Sequence, residues 1–369
     1  MQKKFNLQLA YLRKKKGITQ QTLAEVLGTS YQNISKWENG ITMPDLTTLL
    51  VLSEYFGVTT DQLLGLTSIQ EDGYLEEKTD TDEFWNEKLP YLIRQQKISW
   101  NEDYFEFLIK NVWGIKEPVD VLDLGCGYGY IGLSLLQYLP EGSTYTGVDF
   151  SANLLQYGEK LFREKQLSAA FIQADILSYQ SSKRYDITMC QDVLRHQGTS
   201  EPILKKMMEL TKKNGLIVSM DINREIELDG IYIEGMNYQK LCNRNGSRKH
   251  WLAEYENGDR DYAAAMRSAH RMHQLGIRNI EVRLNDKVSF FSPDQADYEE
   301  NINNMMEFNS LWYKEPEQDV IERLMNHGMT RIEALAYYQR GQEINDFLKD
   351  NPKTTVTWLR GKLITFGRK

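Results

Sequence analysis

Residues 121–132 read VLDLGCGYGYIG, and the fold follows from them. Val121, Leu122 and Leu124 flank Asp123 and run straight into a glycine turn, after which Ile131, Leu133, Leu135 and Leu136 begin an amphipathic pattern. A buried strand, a tight loop and a helix are therefore predicted. Gly125, Gly127 and Gly129 let the backbone take positive φ and approach a ligand closely, while the helix beyond offers unpaired N–H groups. The spacing is G-x-G-x-G, with Tyr130 where a dinucleotide fingerprint needs its third glycine.

This combination resembles motif I of the class I S-adenosylmethionine-dependent methyltransferases, and further strands extend the resemblance. Tyr145 to Phe150 is predicted as a second strand holding Asp149, 22 residues after Gly127, near the offset of about 20 at which an acid meets a ribose. Ala170 to Leu177 gives a third with Asp175 near its end, Tyr185 to Cys190 a fourth running into Gln191 and Asp192, and Leu216 to Asp221 a fifth. The sixth and seventh are expected at Thr330 to Tyr338 and Thr354 to Phe366, with a helix from Glu317 to His327 before them. The fold class is thus α plus α/β, its main part a Rossmann-like seven-stranded domain.

The first 66 residues read differently. Apolar positions 5, 9 and 12 with basic Arg13 to Lys16 suggest one helix ended by Gly17. Thr19 and Ser30 are placed to cap two more, Gln20 to Leu27 and Tyr31 to Glu38, stopped by Gly28 and by Asn39-Gly40. A fourth starts behind Pro44-Asp45 and a fifth covers Asp61 to Leu64, giving a five-helix bundle. The string LRKKKGITQQTLAEVLGTSYQNISKWENG resembles the Cro/repressor (XRE) helix-turn-helix family. The resemblance implies that the second helix of the motif enters the major groove with Tyr31, Gln32, Asn33 and Lys36 facing a double-stranded operator. It assigns Gln20 a phosphate contact, with Arg13 to Lys16 adding backbone attraction and Ala24, Ile34 and Trp37 filling the core. A homodimer spanning two half-sites is implied by the same analogy.

Charge agrees with this division. The net charge is −8, yet residues 1–66 carry seven Lys or Arg against five acids, so the polyanion partner belongs to the basic end. Thr67 to Glu83 holds seven acids and one lysine and reads as a solvated acidic linker; residues 84–369 form the second domain. Cys126, Cys190 and Cys242 are odd in number and unpaired in spacing, so neither a disulfide framework nor a thiolate metal site is expected. No apolar run reaches the ~20 residues of a membrane span, and a cytoplasmic protein with no membrane partner is expected.

Residues 84–118 read as helices ahead of the first strand, their aromatics Trp85, Trp100, Tyr104 and Trp113 packing mainly on the sheet. The methyltransferase resemblance implies that Asp123, Gly125, Cys126, Gly127, Gly129 and Gln191 border the methionine end of S-adenosylmethionine. Asp149 takes the ribose, Phe150 and Ile176 sandwich the adenine, and Asp175 receives its amino group; S-adenosylhomocysteine is the product. Arg195 and His196, after the fourth strand, are the catalytic candidates should the acceptor need deprotonation. His270 and His273 sit three apart on a predicted helix, but no metal is expected without a further ligand. Cys190 lacks the preceding proline of cytosine-C5 enzymes, and no Asn or Asp followed by Pro-Pro-aromatic follows strand four, so base-modifying functions recede. Residues 224–316 are expected to form a lid insertion that sets specificity for a small-molecule acceptor. The competing reading is a silent regulator that senses S-adenosylmethionine or a metabolite and alters DNA affinity through it.

Overall fold

A computed structural model describes residues 8–13, 16, 18–56, 58, 60–64, 89–196, 200–241, 246–258, 260–309 and 316–369. The expected linker, together with Lys14, Lys15, Trp85, Cys242 and Trp312, lies outside the described residues. The chain divides near residue 75 into two compact units.

Among its described residues the first unit has five helices: α1 (residues 8–13), α2 (Gln20–Val26), α3 (Tyr31–Glu38), α4 (Leu46–Phe56) and α5 (Thr60–Leu63). Thr19 and Ser30 cap as their sequence positions imply, each side-chain oxygen accepting from the backbone N–H three residues on. Ile34 and Trp37, one turn apart, bury one side of α3 among Leu9, Leu23, Ala24 and Leu52. That leaves Tyr31, Gln32, Asn33 and Lys36 on the exposed side.

The second unit is built on a seven-stranded sheet of order β3-β2-β1-β4-β5-β10-β7. Strands β1 (Asp120–Leu124), β2 (Thr144–Asp149), β3 (Ala169–Gln173), β4 (Tyr185–Gln191) and β5 (Thr211–Ile222) are parallel. Strand β10 (Lys362–Arg368) runs antiparallel between β5 and β7 (Arg278–Leu284). Leu122, Val148, Ile187, Ile217 and Ile364 are buried, as in strands covered on both faces. Crossovers reverse direction between β1 and β4, which opens a crevice at the carboxyl ends of these strands. Trp100, Phe105, Leu108 and Trp113 pack with sheet residues, so the structural expectation for these aromatics holds.

Three expectations need correction. Thr330 to Tyr338 is not a strand: Thr330 caps a 20-residue helix, Arg331–Asp350, through a reciprocal capping box with Glu333. The sixth strand of the sheet is β7, which lies inside the span expected to be insertion. Thr354 to Phe366 is two strands, because the chain breaks at Gly361, whose φ of +66° disfavours any side chain. Val356–Leu359 (β9) turns away into a second sheet of order β6-β9-β8, with β6 (Ile231–Ile233) and β8 (Val288–Phe291). The expected single insertion is therefore two excursions, one after β5 and one between β7 and β10, joined by this small sheet. The helix expected over Asp261 to Leu275 is Ala264–Gln274 (α6), and it belongs to the main layer, burying Ala264 and Met272.

Candidate active site

At the end of β1 the loop glycines Gly125, Gly127 and Gly129 hold φ of +75°, +55° and +81°. The N–H groups of Gly125 and Cys126 both donate to the Val148 carbonyl, which pins the loop to β2. Gly127 N donates to Asp149 Oδ2 at 2.8 Å, and Ser151 N donates to Asp149 Oδ1 at 3.0 Å. The acid is thereby fixed beside the loop, 6% exposed. A side chain at Gly127 would meet only Leu154 Cδ1, at 3.9 Å, so the backbone there is open to a ligand. At Gly125 the same addition would strike Val193 Cγ2 at 2.4 Å, which ties the loop to the segment after β4.

Asp123 is buried, with Oδ2 accepting from the Tyr145 hydroxyl at 2.8 Å and Oδ1 lacking a hydrogen-bond partner. Burial pushes its carboxyl up to about 7, the Tyr145 hydrogen bond opposing and the Asp149 charge adding. A folded pKa above the unfolded one means that folding takes up a proton. This contribution to stability is full below about pH 4 and is lost as pH rises towards 7. Asp123→Asn keeps an acceptor for Tyr145 without the charge. Its thermal stability relative to the parent protein should rise between pH 4 and 8, and a pH-independent difference would refute this protonation.

Strand β3 ends at Gln173, two residues short of Asp175. Asp175 Oδ1 accepts from Ser178 N at 2.9 Å, so the acid also holds its own turn. Ile176 is buried with Cδ1 against the loop at Gly125, and half-buried Phe150 begins the segment after β2. Cys190 is buried and Cys126 half-buried; desolvation raises both thiols, and Cys126 donates weakly to the Gly127 carbonyl. Neither is a thiolate nucleophile.

Beyond β4 the site becomes charged. Gln191 exchanges hydrogen bonds with Gln96 and donates to Asp192 at 3.0 Å. Asp192, at φ +55°, pairs with Lys362; burial would raise its carboxyl, but Lys362 and then Arg195 hold it well below the usual range. Arg195 Nε donates to His196 Nε2 at 3.0 Å, and the Arg195 carbonyl accepts from Asp261 N. Burial, and then the charge of Arg195, push the imidazole well below its ordinary pKa. His196 is consequently neutral, and its Nε2 lone pair is engaged by Arg195. Sequence reasoning missed the partners of this pair. Glu227 bridges Arg224 and Arg360, the latter at 2.8 Å, and Tyr91 lies within reach of their charges. The available signal was Arg360 and Lys362 flanking Gly361 in an otherwise apolar run.

His270 and His273 are both exposed on their helix. A different group, His250, Glu254 and His327, brings its ligand atoms within 4.8 Å of one another. The two Nδ1 atoms are 2.7 Å apart in rings inclined by 12° with centroids 4.9 Å apart, the geometry of a linear N–H···N hydrogen bond. Two nitrogens on one zinc at 2.0–2.1 Å would stand roughly 3.3 Å apart. Burial pushes His250 down to about 3, His327, Arg323 and Arg260 adding, so that ring is neutral.

The family described as "Methyltransferase domain" matches residues 115–309, and a helix-turn-helix family matches residues 9–63. A ubiquinone biosynthesis O-methyltransferase of Serratia proteamaculans is 27% identical over 39% of this chain and 59% of its own length. One from Rickettsia akari is 26% identical over 29% and 41%. The chain spans about half the length of these curated relatives. Among solved structures, phosphoethanolamine N-methyltransferase 2 of Haemonchus contortus aligns with a TM-score of 0.45 at 15% identity, covering 80% of this chain and 59% of that one. No helix among the described residues is long and apolar enough to cross a membrane. With more than half of its residues matched by one family, and a helix-turn-helix module ahead of them, the chain belongs to the methyltransferase domain family.

Proposed function

We propose that the second unit transfers a methyl group from S-adenosylmethionine to a small-molecule acceptor, and that the first binds a specific DNA operator. The observation that carries the first half is Asp149, fixed at the end of β2 by Gly127 N and Ser151 N beside the open backbone of Gly127. A carboxylate there suits two ribose hydroxyls. The orphaned Asp123 Oδ1 fits the ammonium of the methionine moiety, and Phe150, Ile176 and Asp175 fit the adenine. Bound cofactor supplies a methyl on a sulfonium, a good leaving group, so the protein's work is chiefly positioning. Gly125, Cys126, Gly129 and Gln191 frame the reacting end. His196 acts by orienting Arg195, because the lone pair a base needs is already engaged.

The test is a labelled S-adenosylmethionine assay against a metabolite extract, a protein pool and DNA. Label in the small-molecule pool supports the reading. Tight cofactor binding with no transfer to any pool overturns it in favour of a sensor.

For the first unit we infer that Tyr31, Gln32, Asn33 and Lys36 read bases and that two copies engage two half-sites, which places the protein with the DNA in the cytoplasm. Gln32 and Lys36 are exposed on α3, and Asn33 Nδ2 donates to Thr29 Oγ1. Replacing Gln32 and Lys36 together by Ala should weaken operator binding by roughly 30-fold or more, at about 1–3 kcal/mol for each good base contact. The unit should stay folded, and an unchanged footprint would show that another surface reads the DNA.

A further inference from the structure

The charged cluster beyond β4 points to the kind of acceptor, given the methyl-transfer reading on which this step rests. Four cations, Arg195, Arg224, Arg360 and Lys362, share two carboxylates, those of Asp192 and Glu227. Lys362 takes Asp192, and Arg224 and Arg360 divide Glu227, while Arg195 donates to a neutral imidazole. Asp221, which feels the charges of Lys362 and Arg195, accepts from Ser219 Oγ, and burial lifts its carboxyl to about 7. The cluster therefore holds a surplus of positive charge in a largely dry environment.

Arg360 shows where that surplus is directed. The residue is 5% exposed, and its guanidinium carbon lies 4.4 Å from the Phe308 ring centroid and 4.8 Å from that of Trp358, two rings inclined by 56°. Nη2 lies 2.8 Å from Glu227; among the described residues Nε and Nη1 are buried without a hydrogen-bond partner, as is Nε of Arg224. Leaving charged donors buried and unpaired is costly, and a guanidinium bracketed by two aromatic rings with free N–H groups is a preformed fork for an anion. The cluster is reached directly from Gln191 through Asp192 and Arg195, on the transfer side of the cofactor loop.

We propose that the acceptor carries an oxyanion, a carboxylate or phosphate ester, held by Arg360 with Arg224 and Arg195 around it. Calorimetry on the full chain, with S-adenosylhomocysteine present, tests this using benzoate, inorganic phosphate and the neutral isostere benzamide. At least one anion should bind, with benzamide at least tenfold weaker than benzoate if the carboxylate is the preferred anion; the tighter of the two anions identifies the group. Arg360→Gln should cut that affinity by about 10- to 100-fold, the weight of charge-assisted hydrogen bonds, and Arg360→Lys should recover part of it. If Arg360→Gln does not fold, the comparison of anions with benzamide on the parent protein still decides. Binding of S-adenosylhomocysteine with neither anion binding, or with benzamide equal to the better anion, overturns the proposal and leaves methyl transfer standing. Failure of S-adenosylhomocysteine to bind instead removes the methyl-transfer reading, and the anion titrations on the bare protein are then read by themselves.

Discussion

Asp149→Ala should lower S-adenosylmethionine affinity by about 100-fold or more while the second unit stays folded. In the proposed complex its carboxylate accepts from two ribose hydroxyls, and hydrogen bonds to a charged acceptor contribute about 1.5–3 kcal/mol each. Two such bonds amount to at least two decades in affinity. The same carboxylate accepts from Gly127 N and from Ser151 N, the residue whose side chain caps the following helix. Its loss therefore also frees the glycine loop, and melting should fall modestly through the two orphaned amides. Asp149→Asn separates these effects, because its carbonyl oxygen can keep one of the amide partners but carries no charge. Isothermal calorimetry reads both variants. An Ala variant that binds as tightly as the parent would remove the ribose assignment and, with it, the main support for the cofactor.

Local signals made most of the cofactor side legible. The glycine loop and Asp149 could be placed because each sits where a strand ends, and strand ends are marked by a change from apolar run to turn residue. Two local signals were present and outweighed. Thr330 and Glu333 form a capping box, yet the apolar content behind them reads as a strand. Ile280, Val282 and Leu284 alternate as a strand should, but lie within what sequence order suggests is insertion. The company that Arg195 keeps in the charged cluster was hidden for a different reason. Tyr91, Arg195, Arg224, Glu227 and Arg360 come from distant parts of the chain and meet only through the fold. Arg13 and Lys16 show the same limit in reverse. They read as a face for phosphate, but Arg13 is paired with Glu38 and Lys16 donates to the Tyr55 carbonyl while lying 3.8 Å from that ring's centroid. Gln20, expected at a phosphate, donates to Glu38 at 2.7 Å and so couples the two helices of the motif.

Glu38→Ala should unfold the first unit without touching Tyr31, Gln32, Asn33 or Lys36, the side chains proposed to read bases. Arg13 grips Glu38 with two parallel hydrogen bonds, at 2.6 and 2.9 Å, and the side chains are 12% and 5% exposed. Gln20 adds a third donor to the same carboxylate. Removing the acid leaves a buried guanidinium and an amide without their partner, a change that costs about 3–5 kcal/mol. A unit of this size has only roughly 3–10 kcal/mol in total, at 0.05–0.15 kcal/mol per residue. Scanning calorimetry should show its transition lowered by more than about 10 °C or lost, with that of the second unit unchanged. Operator binding should then disappear with folding, whereas Gln32→Ala with Lys36→Ala removes binding from a folded unit. The pair's net worth is a separate matter, since two buried charges replaced together by apolar groups are often tolerated. Arg13→Met combined with Glu38→Leu should accordingly recover much of the stability lost in Glu38→Ala. A single variant as stable as the parent would mean that Arg13 finds water or another acceptor, and that the ion pair does not hold α1 to the helix-turn-helix.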